Sequence, residues 1–311
     1  MVRVLAFLAA ALLWAALVQQ PSLQTSWAEG SPEAWTKLNI SAIQGTSAGF
    51  FCPMDRDVSS KTPGVCPRCG MKLVSGIPDA KEYQVHITTQ PAAMKAGEST
   101  QLNFHIEDPK TPQPVRDFEI VHEKLYHVFI VSQDLSVFVH THPELAADAD
   151  FHLGVRLPKP GMYRILSDFY PRSGTPQLIV NTLMVPGAEI NPADVKLSPD
   201  LAPKKADNID VDLLTEPAQP HAGGKTLLYF RLKPNDGIEP YLGAMAHLLA
   251  ASSDLVDMIH SHPIQATDRA SEYKQLQFKM TFPRAGAYRV WVQSQRRGVV
   301  NTVAFNIPVI E

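Results

Sequence analysis

The sequence is poor in cysteine, with only 3 in 311 residues. A small and odd number excludes a scaffold built on disulfides. An excess of positive charge is also missing, because 28 Lys and Arg residues stand against 31 Asp and Glu, a net charge of −3. Since a nucleic-acid-binding protein would present a basic surface, no nucleic-acid partner is expected. With 45% hydrophobic and 19% charged residues, the chain is not of the disordered class.

Long apolar runs are absent beyond the N-terminus. Arg3 is followed by an uninterrupted apolar run from Val4 to Val18, and Ser26 and Ala28 place small residues before a possible cleavage point. This layout predicts a cleaved signal peptide over residues 1–28. The run is shorter than the about 20 residues of a membrane-spanning helix, although an uncleaved anchor is the alternative. We therefore expect a periplasmic or secreted protein with no stable membrane span after cleavage.

All three cysteines lie close together, between positions 52 and 69. Two residues separate Cys66 from Cys69, and Gly70 permits a tight turn, so both thiolates can bind one ion. The alternative is a disulfide between these two cysteines. About 25 residues cannot build a core, which favours a metal as the stabilising element. Soft sulfur ligands favour Cu(I), Ag(I) or Zn(II). The further candidate ligands are Cys52, Met54 and Met71.

The segment from Phe50 to Leu73 resembles the heavy-metal-binding domain of copper- and silver-transporting ATPases and of periplasmic heavy-metal efflux adaptors. That family shows an aromatic residue, any residue, Cys-Pro-Met-His-Pro, a spacer, Pro-Gly, and Cys-Pro-x-Cys-Gly-Met-x-Leu. This chain departs from the pattern at Asp55, where the family has His, and at Arg56, where it has Pro. The resemblance implies a heavy-metal site in which Asp55 offers a harder oxygen, or in which the ion is three-coordinate.

The remainder of the chain contains an internal duplication. Residues 127–143 and 247–263 share seven of seventeen positions without gaps. Two shorter motifs, Gly-x-Tyr-Arg and Val-Asn-Thr, recur downstream in both copies in the same order. Two copies of about 100 residues each indicate tandem domains and not a solenoid.

Each copy has the pattern of an all-β domain. About seven apolar or alternating stretches of strand length are separated by Pro, Gly, Asn and Asp, which is typical of an immunoglobulin-like β-sandwich. Tyr163 and Tyr288 resemble the tyrosine corner of such folds. The copies also resemble secreted bacterial β-sandwich domains that accompany heavy-metal-binding modules. The predicted fold is therefore mainly β, divided into a signal peptide (1–28), a linker (29–48), a metal-stapled cysteine module (49–76), a first sandwich (77–187), a linker (188–207) and a second sandwich (208–311).

Three histidines occur at the same spacing in both copies. If Gln133 and Asp134 form a two-residue turn, His127 lies opposite His140, with His142 on the same face. Three neutral imidazoles suit Cu(II), Zn(II) or Ni(II). The alternative is a structural role, because the same face carries Phe129, Val131 and Phe138, and a longer turn could change the face. The corresponding candidate ligands of the second copy are His247, His260 and His262.

We expect an exported, non-catalytic heavy-metal-binding protein for metal buffering, delivery or resistance. Copper, as Cu(I) or Cu(II), is the first candidate, with zinc or silver as alternatives, and an efflux or metal-delivery protein is the expected partner. One alternative is an envelope protein-interaction module with structural histidines. Another is a metal-dependent hydrolase with three His ligands. Against the hydrolase, the sequence shows no nucleophile elbow, no HExxH motif and no evident general base.

Overall fold

The computed structural model describes residues 49–52, 58–67, 70–76, 82–172, 174–187, 195–269 and 272–311. The predicted signal peptide and the first linker lie outside these residues. Within the described ranges, no helix has the length and apolarity that a membrane crossing requires. The regular structure of the described residues consists of strands.

The cysteine module is a small antiparallel sheet with very little core. Its strands pair in the order β2-β1-β3. Cys52, Cys66 and Leu73 are buried together, and Phe50 and Val58 pack against them. A cluster this small supplies little hydrophobic stabilisation, which fits a module that relies on a bound ion. The strands are β1 (Gly49–Phe51), β2 (Ser59–Ser60) and β3 (Val74–Gly76).

The first repeat folds into two antiparallel sheets that enclose a core. One sheet has the order β4-β5-β10-β9, with β6 paired to β5, and the other has the order β12-β11-β7-β8. Along β5, Leu102, Phe104 and Ile106 alternate with more exposed residues and point into the core. The strands are β4 (Gln84–Gln90), β5 (Ser99–Asp108), β6 (Thr111–Pro114), β7 (Tyr126–Ser132), β8 (Phe138–Thr141), β9 (Glu144–Leu145), β10 (Phe151–Arg156), β11 (Gly161–Phe169) and β12 (Gln177–Val185).

The second repeat has the same plan. Its first sheet has the order β13-β14-β15-β20-β19, and its second has the order β16-β21-β17-β18, with β22 paired to β21. The strands are β13 (Lys204–Lys205), β14 (Asp210–Glu216), β15 (Lys225–Lys233), β16 (Ile238–Glu239), β17 (His247–Ser252), β18 (Met258–Ser261), β19 (Gln265–Arg269), β20 (Tyr273–Thr281), β21 (Gly286–Arg296) and β22 (Val299–Val309).

Both repeats contain the tyrosine corner that the sequence predicted. The Tyr163 hydroxyl donates to the Lys159 carbonyl at 2.8 Å, and the Tyr288 hydroxyl donates to the Arg284 carbonyl at 3.1 Å. Each bond ties a strand of the second sheet to the loop that precedes it. Together with two packed antiparallel sheets in each repeat, these corners confirm the expected immunoglobulin-like β-sandwiches.

Strand β7 is buried on both faces, and so is β17. In β7, Val128 and Ile130 point into the core of their own sandwich, whereas Phe129 and Val131 point out of it. A strand of an isolated two-layer sandwich would leave one face to solvent. The outer faces of β7 and β17 are therefore covered by packing of the two sandwiches against each other.

The contact between the sandwiches is an apolar cluster drawn evenly from both repeats. Phe138 stacks on Trp291 across it, with ring centroids 5.0 Å apart and planes at 12°. Equivalent strand positions contribute from the two sides, so the contact has an approximate two-fold relationship. The fully buried members are Phe129, Val131, Leu135, Leu166, Leu249, Ala251, Leu255 and Trp291.

We expect Trp291→Ala to lower the free energy of unfolding by about 3–5 kcal/mol, because it removes the largest side chain of this cluster. Urea denaturation followed by far-UV circular dichroism measures the change. Val256→Ala is the control, since Val256 is 60% exposed and should shift stability by no more than about 0.5 kcal/mol. A loss below about 1 kcal/mol for Trp291→Ala would contradict close packing of the sandwiches.

The turns of the β7–β8 and β17–β18 hairpins are held by aspartates, as the sequence predicted. Asp134 accepts hydrogen bonds from Ser132 at 2.6 Å and from the Ser136 backbone at 3.2 Å, and it forms an ion pair with Lys159. Partial burial would raise the pKa of Asp134, but the bonds from Lys159 and Ser132 outweigh it and lower that pKa to about 2. The carboxylate is thus the form that stabilises the fold.

We expect Asp134→Asn to cost up to about 2 kcal/mol at neutral pH. The folded pKa lies below the unfolded value of 3.8, so this contribution is present above pH 3.8 and is lost as the pH falls towards 2. Denaturation of wild type and variant between pH 2 and 7 measures it. A stability difference that persists unchanged at pH 2 would contradict the assignment.

Candidate metal centre

The histidines of each hairpin converge, but in a register that differs from the expected one. Strand pairing places Phe129 opposite His140 and Leu249 opposite His260. His142 therefore lies opposite His127, and His140 is the diagonal neighbour. The prediction that His127 faces His140 was wrong, because the turn spans four residues and not two. The prediction that the three histidines share one face of the hairpin nevertheless agrees with the pairing, since a shift of two positions leaves a side chain on the same side of a strand.

In the first repeat, three ring nitrogens meet. His127 Nδ1 lies 3.1 Å from His142 Nε2 and 3.3 Å from His140 Nε2. Neighbouring ligand nitrogens of a tetrahedral ion with bonds of about 2.0–2.1 Å are about 3.3 Å apart. Two of the three separations match this value and all three nitrogens lie within 4.8 Å of one another, so they can bind one ion. We call His127, His140 and His142 the first triad.

Two histidines of the first triad have their opposite ring nitrogen bound to a protein acceptor. His127 Nε2 contacts the Val121 carbonyl at 3.0 Å, and His140 Nδ1 contacts the Gln293 side-chain oxygen at 2.7 Å. A carbonyl oxygen can only accept, so these nitrogens carry the protons. The lone pairs are consequently on His127 Nδ1 and His140 Nε2, which face each other. This is the arrangement by which proteins orient imidazole ligands.

A second triad contains a residue outside the repeated pattern. His247 Nδ1 lies 2.8 Å from His262 Nε2, and the ring of His122 stacks on that of His262 with centroids 3.7 Å apart. The candidate ligand atoms of His122, His247 and His262 all lie within 4.8 Å of one another. His122 belongs to the first repeat, and its counterpart in the second repeat is Leu242. The turn that carries His122 thus reaches from the first repeat to the histidines of the second.

The two repeats support each other's histidines. Asp168 lies opposite His127 on β11, and Gln293 lies opposite His247 on β21. Yet Gln293 binds His140 of the first repeat, and Asp168 binds His260 of the second at 2.6 Å. Each sandwich thus provides the acceptor that orients an imidazole of its neighbour. The geometry of the cluster therefore requires both sandwiches in contact.

His260 lies between the two triads. Its ring centroid is 4.4 Å from that of His262 and 6.2 Å from that of His127. Its side chain is buried, and Nδ1 is taken by Asp168, which leaves Nε2 with no hydrogen-bond partner among the described residues. His122 Nε2 is also buried and has no hydrogen-bond partner among the described residues. Buried nitrogens without partners are costly unless a ligand satisfies them.

Burial keeps these rings neutral. Together with the nearby imidazoles, it lowers the pKa of His122 to about 3 and that of His127 to about 4, although the charge of Asp168 acts in the opposite direction on both. Burial likewise holds the pKa values of His247 and His262 well below the ordinary 6.5. Burial would raise the pKa of Asp168, but the bond to His260 outweighs it and keeps that pKa low. The cluster therefore combines neutral nitrogen donors with one carboxylate.

The cysteine module presents part of its predicted ligand set. Cys52 and Cys66 are both buried in its small core. The Cys66 amide donates to the Met71 carbonyl at 2.6 Å, and the Gly70 amide donates to the Cys66 carbonyl at 2.8 Å, so the chain turns back tightly after Cys66. Gly70 adopts a φ of 76°, which glycine reaches without strain. The other predicted ligands, Met54, Asp55 and Cys69, lie outside the described residues.

Two family models match this arrangement. A model described as a domain of unknown function, DUF8832, matches twice, over residues 79–186 and 204–311, which is more than half of the chain. The chain belongs to the DUF8832 family. A model described as heavy metal binding domain matches residues 50–75 and confirms that the cysteine module is a metal-binding domain.

Other comparisons add little to the description of this DUF8832 protein. No curated protein matches it. Among solved structures, the Escherichia coli adhesin FdeC shares 15% identity over 86% of this chain and 76% of its own, with a TM-score of 0.25. The Yersinia pseudotuberculosis adhesin InvE shares 12% identity over 72% of this chain and 58% of its own, with a TM-score of 0.22. The fold assignment of the DUF8832 repeats therefore rests on their strand topology.

Sequence reasoning missed two parts of the cluster of this DUF8832 protein. His122 is not part of the repeated ligand pattern, because it aligns with Leu242. Gln293, the counterpart of Asp168, was not recognised as an orienting acceptor. The repeat spacing could have found Gln293, since Asp168 and Gln293 are offset by the same distance as the paired Tyr163 and Tyr288. No local pattern marks His122, because a turn has no side-chain period.

We expect NMR of the imidazole nitrogens at pH 7 to find His127 and His247 protonated on Nε2. The acceptors are the carbonyls of Val121 and Tyr241. His140 should be protonated on Nδ1. Gln293→Leu should remove the preference of His140 for the Nδ1-protonated tautomer, because it removes the acceptor. The tautomer of His127 should not change in this variant, so His127 serves as the internal control. The opposite tautomer at His127 in the metal-free protein would contradict the described geometry.

Proposed function

We propose that this protein is an exported, non-catalytic heavy-metal-binding protein that holds copper through its cysteine module and its histidine cluster. It buffers the metal in the periplasm or outside the cell, or delivers it to an efflux or metal-delivery partner. The single observation that supports this most strongly is the first triad. Three imidazole nitrogens meet there at ligand spacing, and two have their opposite nitrogens held by protein acceptors.

The donor set favours copper. Cys52 and Cys66 offer thiolates, Met71 offers a thioether, and the cluster offers neutral imidazoles. Thiolate and thioether sulfur suit Cu(I), and imidazole suits both oxidation states of copper. Zinc accepts thiolates and imidazoles but gains little from a thioether, and silver is suited mainly to the sulfur ligands.

Several features support binding more than catalysis. The rings of His127, His247 and His262 are nearly inaccessible to solvent, and His140 and His142 are half-buried, so most of the cluster is enclosed between the two sandwiches. The one carboxylate that binds a ring of the cluster, among the described residues, is Asp168, which is engaged by His260. A buried set of oriented ligands with a carboxylate support suits retention of an ion.

The test is metal titration of the chain without its predicted signal peptide, with Cu(I) under anaerobic conditions and Zn(II) in air. We expect at least about two tightly bound copper ions per chain, one in the module and one in the cluster. His142→Ala should weaken the cluster site by more than about 100-fold, since loss of a ligand exceeds loss of a supporting group. His86→Ala is the control, because His86 is exposed on β4 and lies outside the cluster.

Circular dichroism checks that both variants remain folded. If folded His142→Ala binds copper as tightly as wild type, the first triad is structural and the observation that carries the proposal is lost. If wild type binds less than about one ion at micromolar free metal, the proposed function is wrong altogether.

A further inference from the structure

The cysteine module and the second triad border the same cavity. Its volume is about 240 Å³. Gly70 and Met71 of the module form one wall, and His122 and His262 of the triad form part of the other. The remaining wall is the segment from Gly243 to Met245 and the start of β19. An ion leaving the module through this cavity would meet the imidazoles of the second triad first.

Met71 is held at the module's end of the cavity. The hydrogen bond from the Cys66 amide to the Met71 carbonyl fixes its backbone beside the buried thiol. The neighbouring bridge between Val65 and Lys72 closes the same turn. Met71 also lines a second hollow with Val121 and His122. Met71 thus borders two hollows that His122 of the cluster also borders.

His122 is placed in the second triad at an energetic cost. It adopts a φ of 49°, in the left-handed region that a residue with a side chain rarely adopts. Its counterpart Leu242 has nearly the same φ of 50°, so the turn itself belongs to the repeat. What differs is the imidazole, which is 9% exposed and whose Nε2 lacks a hydrogen-bond partner among the described residues. The unpaired buried nitrogen, which the second repeat lacks at this position, indicates a ligand-binding role.

We propose that the cysteine module loads Cu(I) into the second triad through this cavity, with Met71 as the intermediate ligand. This relay rests on the proposed function. The ion keeps its oxidation state, because each step breaks a copper–sulfur bond as a new copper–sulfur or copper–nitrogen bond forms. The released thiolates take up protons from solvent. In the second triad the ion satisfies the unpaired nitrogen of His122.

Anaerobic stopped-flow mixing of the metal-free chain with one equivalent of Cu(I)–acetonitrile tests the relay. The near-ultraviolet absorbance of copper–thiolate bonds should rise and then decay as the ion passes to the imidazoles. In Met71→Leu, which also removes one candidate ligand of the module, the decay should slow about tenfold or more, equivalent to at least about 1.4 kcal/mol in the barrier. Met184→Leu is the matched control, because Met184 is exposed on β12 and away from the cavity.

Ala266→Trp is a second variant that leaves the module and every proposed ligand intact. Ala266 is exposed on β19 and lines the cavity, so a bulky side chain there should narrow the passage and slow the decay similarly. His122→Leu reproduces the residue that the second repeat carries in the equivalent turn. In this variant the copper–thiolate absorbance should rise as in wild type but should not decay, because the second triad lacks one ligand.

The outcomes separate the relay from metal binding itself. If Met71→Leu and Ala266→Trp both decay at the wild-type rate, the relay is overturned while copper binding stands. If Met71→Leu shows no initial rise in copper–thiolate absorbance, its module is disrupted. The decay rate of Ala266→Trp then tests the relay alone. If wild type shows neither thiolate absorbance nor bound copper, the proposed function fails. A decay that is slowed in both cavity variants, and unchanged in Met184→Leu, supports the relay.

Discussion

The packing of the two sandwiches against each other is the constraint on which the histidine cluster depends. Strands β7 and β17 have no solvent-facing side, because Phe129 and its neighbours meet Leu249 and Trp291 across the contact. His127 continues the same outward face two positions before Phe129, so the apolar contact leads directly into the imidazoles. Hydrophobic burial thereby brings polar ligands from both repeats together at one end of the contact.

Much of the fold and part of the site could be predicted from the sequence, for identifiable reasons. The duplication indicated two sandwiches, and the tyrosine corners followed from Gly-x-Tyr. His127, His140 and His142 were placed on one face because strand side chains alternate with a period of two, and the error in turn length preserved that alternation. The contact between sandwiches could not be predicted, since Phe129 has the same pattern whether it fills a domain's own core or covers a neighbour. His122 escaped prediction because its position depends on that contact.

The repeats share a scaffold but have diverged in the acceptors that hold their neighbours' rings. Gln293 gives His140 a neutral hydrogen bond, whereas Asp168 gives His260 a charged one. A carboxylate makes an imidazole a stronger electron donor than an amide does. The His260 side of the cluster, next to the second triad, is therefore the better prepared to hold a cation. The substitution of His for Leu at position 122, relative to Leu242, adds a donor on that same side.

The charge balance of the cluster bears on which ion it suits. Asp168 contributes a negative charge. Burial is the main cause of the low pKa values of His127 and His142, and the nearby positive charge of Lys124 is a smaller cause. These two charges oppose each other, so a divalent ion would add two positive charges to an enclosed site with little compensation. Desolvating such an uncompensated charge is costly, and the cost is smaller for a monovalent ion. Our proposal of Cu(I) at this position rests on the neutral ligands, the one paired carboxylate and Met71 at the cavity wall.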